Sequence, residues 1–126
     1  MMDAYRKGWA LRYLREAKAE LEAAHKIPYM ASSLVVEAIR KARNAIYYSL
    51  GEPAFIEILI RDEVAKNLGT DDSVLRFLID IETMVQQLAQ IEEVNGDVMM
   101  KQADSIIDIA TDIVETLTQE KFENLS

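Results

Sequence analysis

The chain of 126 residues is long enough to bury a sizeable core in one domain, and half of its residues are apolar, which excludes an intrinsically disordered protein. It contains no cysteine, which excludes a disulfide framework, a thiolate metal site and a cysteine nucleophile. No apolar run approaches the roughly 20 residues that span a bilayer, and the amino-terminal segment lacks the apolar core of a signal peptide. We therefore expect a single domain over residues 1–126, no membrane segment and a cytoplasmic location.

The net charge of −8 is distributed unevenly along the chain. Residues 1–50 carry nine Lys or Arg and five Asp or Glu, a balance of +4, whereas residues 51–126 carry five and seventeen, a balance of −12. The overall acidity argues against broad, non-specific binding of nucleic acid but leaves room for a local basic surface on the first two helices. The alternative is that both sets of charges form ordinary solvated faces that complement each other.

The first predicted helix runs from about Asp3 to Lys26. Aromatic, alanine and leucine residues recur in it at steps of three and four, which is the spacing of a buried helical stripe. Its Trp9 would either pack in the core or offer a stacking platform for a base. Pro28 ends the helix, because proline has no N–H to continue the backbone hydrogen bonds. The basic flank of this helix comprises Arg6, Lys7, Arg12, Arg15 and Lys18.

The second predicted helix, from Ser32 to Gly51, is the best specified in the chain. Gly51 and Pro53 supply its stop signal. Apolar and small residues form one stripe, and three alanines in this stripe are small enough to let a second helix come close. Its polar side is expected to carry Arg40, Lys41, Arg43 and Asn44, with Tyr47 and Tyr48 just beyond.

The rest of the chain predicts three further helices. Helix three, about Ala54 to Leu68, is short and apolar nearly all round in its first half. A cluster of capping residues at 70–73 precedes helix four, which continues to about Val94. Helix five runs from about Val98 to Phe122 after a turn.

Five helices with short connections predict an all-α protein, namely an up-and-down four-helix bundle with one additional short helix. Helices one, two, four and five each present one apolar face. Some apolar surface on helix three, or at Tyr47 and Tyr48, is therefore left to be covered. From this surplus we predict a homodimer.

The sequence offers little for a metal or a catalytic triad. Glu22 and His25 have the Glu-x-x-His spacing of di-iron bundles, but a di-iron site needs a second such motif and the chain has no second histidine. Asp104, Asp108 and Asp112 lie in a line on one helix, so they do not converge on one ion. We therefore predict no metal, no cofactor and no Ser-His-Asp site.

The candidate binding residues are mostly arginines. Arg40 and Arg43 are one turn apart and can both point at a phosphate, whose geometry matches the forked guanidinium. Tyr48 lies one turn on and could stack on a base. Arg12 and Arg15 on the neighbouring helix would complete a small pocket for an anion. The alternative is an exposed, salt-bridged helix face. The full candidate set is Arg12, Arg15, Arg40, Arg43, Asn44 and Tyr48.

Three stretches of the chain resemble the HEPN domains, which are nucleotide-binding helical bundles. They are YLREAKAELEAAHK in helix one, AIRKARNAIYYSLGEP in helix two and KQADSIIDIATDIVETL in helix five. The likeness lies in spaced Ala and Leu residues, in an Ala-rich second helix ending in Leu50 and Gly51, and in the Ala and Ile steps of the last helix.

The resemblance implies a bundle that commonly dimerises, often as a ribonuclease or toxin that pairs with a small nucleotidyltransferase. Catalytic members carry an Arg, often a polar residue next, and a His about four to six residues after the Arg. Arg43 and Asn44 match the start of this motif, but Tyr48 stands where the His is expected, and the sole histidine, His25, precedes them. The resemblance therefore implies a member that binds without cleaving.

Our expectation is a non-catalytic binding module for a nucleotide, RNA or a protein partner of the nucleotidyltransferase type. One alternative is a metal-independent ribonuclease that uses Arg43 and Tyr48, or His25 supplied across a dimer. Another is a structural interaction protein in which helix three or the acidic helix five docks a partner.

Overall fold

The computed structural model of the protein describes residues 3–66, 72–88 and 96–120. These residues form five α-helices and one short 3-10 helix, and no β-strand occurs among them. The all-α class predicted from the sequence is confirmed. The helices are α1 (Ala4–Lys26), α2 (Ala31–Leu50), α3 (Pro53–Lys66), α4 (Ser73–Leu88) and α5 (Gly96–Thr118), and the 3-10 helix is Pro28–Met30.

Capping side chains set the amino-terminal ends of α1 and α4. The carboxylate of Asp3 accepts a hydrogen bond from the backbone N–H of Arg6 at 2.9 Å, and this contact holds the pKa of Asp3 below its usual range. The carboxylate of Asp72 accepts one from the N–H of Leu75 at 2.9 Å. The predicted capping cluster therefore works through Asp72.

The predicted carboxyl-terminal ends of helices one and two agree with the structure, whereas helix five ends earlier than predicted. The N–H of Gly51 donates to the carbonyl of Tyr47 and closes α2 at the predicted stop. Helix α5 ends at Thr118, before its predicted end at about Phe122, and the next residue, Gln119, has a positive φ of 61° that does not continue the helix. The predicted ends of helices three and four, at Leu68 and Val94, lie outside the described residues.

Among the described helices, α1 and α2 share the most extensive contact. Buried alanines on both helices favour a close approach, because the distance between packed helices depends on side-chain size. Lys41 adds a polar link, since its ammonium donates to Glu20 of α1 at 2.5 Å, a hydrogen bond that raises the pKa of Lys41. The buried alanines are Ala10, Ala17 and Ala24 of α1 and Ala38, Ala42 and Ala45 of α2.

Helix α2 is the centre of the fold, because it contacts α1, α3, α4 and α5. Helix α5 packs on both α1 and α2, whereas α3 and α4 pack on each other and on a different side of α2. As a result α2 is buried over a wider arc than the single stripe predicted from its sequence. The residues that extend the arc are Arg43 and Tyr47, which are 9% and 1% exposed.

The outward side of α3 is apolar. Phe55, Ile58 and Leu59 follow helical spacing and are 61%, 66% and 45% exposed. We call these three residues the α3 apolar face. The predicted surplus of apolar surface on helix three is therefore present, whereas Tyr47 is covered by its own chain and Tyr48 is half-buried.

Within the part of the chain that the structure describes, no helix combines the length and apolarity that crossing a bilayer requires.

Candidate anion-binding site

Three arginines from two helices line one cleft. Arg40 and Arg43 stand one turn apart on α2, and Arg61 reaches the same cleft from α3. Helix α4 supplies Glu82 and Gln86. The cleft has a volume of about 530 Å³, which lies in the range of small-molecule sites. We call it the arginine cleft.

Arg43 is anchored by a buried ion pair. Its Nη1 donates to Oε2 of Glu82 at 3.0 Å, and the two side chains are only 11% and 4% exposed. The sequence predicted Arg43 on the polar side of its helix, and this is wrong. The residue is buried because α4 covers that side of α2 and presents a carboxylate to it.

The other two nitrogens of the Arg43 guanidinium make one long hydrogen bond between them. Its Nη2 donates to Oδ1 of Asn44 at 3.4 Å, so Asn44, which was predicted to contact a ligand, bonds to Arg43 in this structure. The Nε of Arg43 is buried and has no hydrogen-bond partner. An unpaired buried donor is costly in free energy and is uncommon in native proteins. Arg43 therefore combines a firm anchor on Glu82 with a buried donor that the protein leaves unpaired.

Tyr47 lies beside Arg43 and is the other unusual polar group of this region. The Arg43 guanidinium is 5.5 Å from the centre of the Tyr47 ring. The Tyr47 hydroxyl is buried without a hydrogen-bond partner. Burial raises the pKa of Tyr47 far above its usual range, and the nearby guanidinium of Arg43 offsets only part of that effect. Tyr47 is therefore neutral whenever the protein is folded at ordinary pH.

Arg40 and Arg61 are the accessible cations of the cleft. The Arg40 side chain is 42% exposed and its Nη1 pairs with Glu37 at 3.2 Å. The Arg61 side chain is 60% exposed; its Nη2 pairs with Glu57 at 2.8 Å, and its Nε lies 3.8 Å from Glu82. Because exposed ion pairs contribute little free energy, these two arginines can exchange their partners for a ligand.

Sequence reasoning missed Arg61, Glu82 and Gln86. A signal for Glu82 was present, since this carboxylate stands between Leu78 and Val85 at the helical spacing of the buried stripe of α4. A charge at such a position is rarely buried without a partner. Nothing in the sequence identified that partner as Arg43, 39 residues earlier.

Tyr48 and Arg12 come together elsewhere, between α1 and α2. The ring of Tyr48 stacks on Trp9 and on Tyr13, with centroids 6.1 Å and 5.6 Å apart. The guanidinium of Arg12 lies 4.8 Å from the centre of the Trp9 ring. Tyr5 meets Trp9 edge-on and is 69% exposed. We call Tyr5, Trp9, Tyr13 and Tyr48 the aromatic cluster.

The predicted set is thus divided between two places. Arg40 and Arg43 line the arginine cleft, with Asn44 bonded to Arg43, whereas Tyr48 and Arg12 belong to the aromatic cluster. Arg15 is exposed on α1 and does not line the cleft.

The sole histidine lies away from both places. Nε2 of His25, near the end of α1, is 3.3 Å from Oδ1 of Asp104 on α5. Glu22 and Asp108 line the same shallow surface depression. Among the described residues, no group of three or more histidine, aspartate or glutamate side chains is arranged to hold a metal ion.

Comparisons with protein-family models, with curated proteins and with solved structures return no match to this chain. The resemblance to HEPN domains therefore stays a prediction.

Proposed function

We propose that the protein is a non-catalytic module that binds the phosphate groups of a nucleotide or of RNA in the arginine cleft. The observation that carries this proposal is the convergence of Arg40, Arg43 and Arg61 on one open cleft. Guanidinium groups bind phosphate through paired, charge-assisted hydrogen bonds. Arg43 is fixed in place by Glu82, and Arg40 and Arg61 supply accessible donors on either side of it.

The aromatic cluster supplies a second contact in this proposal. Bases of single-stranded RNA bind by stacking on aromatic rings and on arginine planes. The exposed ring of Tyr5 and the Arg12 guanidinium over Trp9 offer such a surface on the other side of α2.

The proposal takes its wider context from the HEPN resemblance. It includes a cytoplasmic location and a nucleotidyltransferase-type partner. It also includes the arrangement of α1, α2, α4 and α5 as an up-and-down four-helix bundle. In the ribonuclease alternative, His25 would have to come from a second copy, because His25 does not line the arginine cleft of its own chain.

The test is the fluorescence anisotropy of a labelled single-stranded RNA titrated with the protein over a salt series. Wild-type protein should bind saturably and more weakly as salt rises, because phosphate contacts release counterions. The double variant Arg40→Gln/Arg61→Gln should bind at least about tenfold more weakly and show a shallower salt dependence. Arg76→Gln is the matched control, since Arg76 is exposed on α4 and does not line the cleft.

A gel of the same samples separates the alternatives. Intact RNA together with loss of binding in the double variant supports the binding module. Shortened RNA supports the ribonuclease. Equal binding by wild type, the double variant and the control would show that the arginine cleft is not the site.

A second candidate function, docking of a protein, is favoured by the α3 apolar face. Monomeric proteins seldom expose a contiguous stripe of large apolar side chains. We propose that a second copy of the chain covers it and forms the predicted homodimer.

A further inference from the structure

The charged groups that line the arginine cleft indicate how much negative charge its ligand carries. Three arginines and one glutamate line it, which gives these four groups a net charge of +2. The carboxylates of Glu37 and Glu57 also pair with cleft arginines, but they are 49% and 35% exposed and do not line the cleft. Solvent screens such exposed pairs strongly, so they offset little of this charge when a ligand binds.

The role of Glu82 is to position the arginines. Its Oε2 accepts from Arg43 and its Oε1 lies 3.8 Å from the Nε of Arg61, so each oxygen faces a different arginine. With a side-chain exposure of 4%, Glu82 is too deeply buried to be displaced readily. Its negative charge consequently remains in the site when a ligand is bound, and it keeps the net charge of the four lining groups at +2.

The donors that remain around the cleft suit a ligand with several free oxygens. Arg43 lines the cleft, and Arg40 and Arg61 present guanidinium groups that are 42% and 60% exposed from two other helical positions. A phosphate monoester has three acceptor oxygens and a charge near −2 at pH 7, with a second pKa of about 6. A phosphodiester in an RNA backbone carries a single negative charge.

Building on the proposed function, we infer that the ligand of the arginine cleft is a dianionic phosphate monoester. It would be the terminal phosphate of a nucleoside monophosphate or the 5′-phosphate of an RNA chain, in preference to an internal phosphodiester. The −2 charge of this group balances the +2 of the lining residues, and its three oxygens match three arginines.

The test compares two labelled RNAs of identical sequence, one with a 5′-phosphate and one with a 5′-hydroxyl, with the label at the 3′ end. At pH 7.5 the phosphorylated RNA should bind at least about tenfold more tightly. This ratio should fall towards one as the pH falls through about 6, because the phosphate then gains its second proton. Arg61→Gln should reduce the ratio, and Arg76→Gln should leave it unchanged.

Competition distinguishes the sources of the phosphate. Adenosine monophosphate, adenosine and inorganic phosphate are each titrated against the bound phosphorylated RNA. Displacement by adenosine monophosphate and not by adenosine indicates a mononucleotide site. Displacement by inorganic phosphate as well indicates that the phosphate alone is recognised, and displacement by neither phosphate compound indicates an RNA end. All three results are compatible with the monoester inference.

Other outcomes contradict it. Equal affinity for the two RNAs would overturn the inference and leave the proposed RNA-binding function intact. A preference for the 5′-phosphate that persists undiminished in Arg61→Gln would place the monoester site elsewhere and overturn the assignment to the arginine cleft. If neither RNA binds at low salt and adenosine monophosphate does not bind either, the proposed function and the inference are both overturned.

Discussion

At the scale of single residues, the buried hydroxyl of Tyr47 lowers the stability of the fold. It is 1% exposed as a residue, and its oxygen has no hydrogen-bond partner. Burying a hydroxyl without a partner costs about 1–3 kcal/mol in mutational studies. We expect Tyr47→Phe to raise the free energy of unfolding at pH 7 by about 1 kcal/mol, measured by urea denaturation.

The same substitution should also change the response to alkaline pH. The folded-state pKa of Tyr47 lies above the value of about 10 for an unfolded chain, because burial disfavours the phenolate. A raised pKa gives stability that is complete below pH 10 and is lost as the pH rises towards the folded-state value. Tyr47→Phe should therefore lose less stability than wild type between pH 9 and pH 11 in the same urea experiment. Tyr29→Phe, at a position 89% exposed, is the control; an equal alkaline loss in wild type and both variants would contradict the argument.

At the scale of secondary-structure elements, the Arg43–Glu82 ion pair joins α2 to α4. Breaking a buried pair by removing one partner leaves the other charge without compensation and costs about 3–5 kcal/mol. Replacing both partners with apolar residues of similar size is often nearly neutral. We therefore expect Glu82→Leu to be strongly destabilising, and Arg43→Met/Glu82→Leu to recover most of the lost stability while losing RNA binding.

A double-mutant cycle by urea denaturation measures this coupling. The comparison is the Arg40–Glu37 pair on the surface of α2, whose side chains are 42% and 49% exposed and whose coupling should be below about 1 kcal/mol. Similar coupling energies for the two pairs would show that burial does not strengthen the Arg43–Glu82 link.

The helices themselves could be predicted from local signals. Caps and stops at Asp3, Gly51 and Asp72 act on neighbouring residues, so the sequence contains all that is needed to place them. The burial of Arg43 could not be predicted in this way. Helical periodicity gives the width of an apolar stripe but does not show how many helices surround it, and α2 has four neighbours. The arginine cleft depends on that arrangement, since Arg61 and Glu82 reach it from two other helices.

At the scale of the whole molecule, the α3 apolar face points to a second copy of the chain. Ile58 and Leu59 lie at the middle of the exposed stripe. Phe55 comes three residues before Ile58, and Asp62 comes three residues after Leu59. In an antiparallel pairing about a two-fold axis, Ile58 of one copy would face Leu59 of the other. The same pairing brings Glu52 of one copy near Lys66 of the other, where the Lys66 ammonium would exchange its exposed contact with Asp62 for the carboxylate of the partner.

This interface should be weak, because one helix face buries less than the roughly 800 Å² per partner of a typical stable complex. We expect a monomer–dimer equilibrium with a dissociation constant on the order of micromolar, measured by sedimentation velocity over a range of protein concentrations. Ile58→Glu should shift the protein to monomer at every concentration, because the pairing would desolvate a carboxylate with no cation opposite it. Ile109→Glu is the matched control, since Ile109 is 44% exposed on α5, away from the α3 apolar face. If Ile109→Glu alone abolishes the dimer, the interface lies on α5; if wild type is monomeric throughout, the exposed face of α3 is open to another protein.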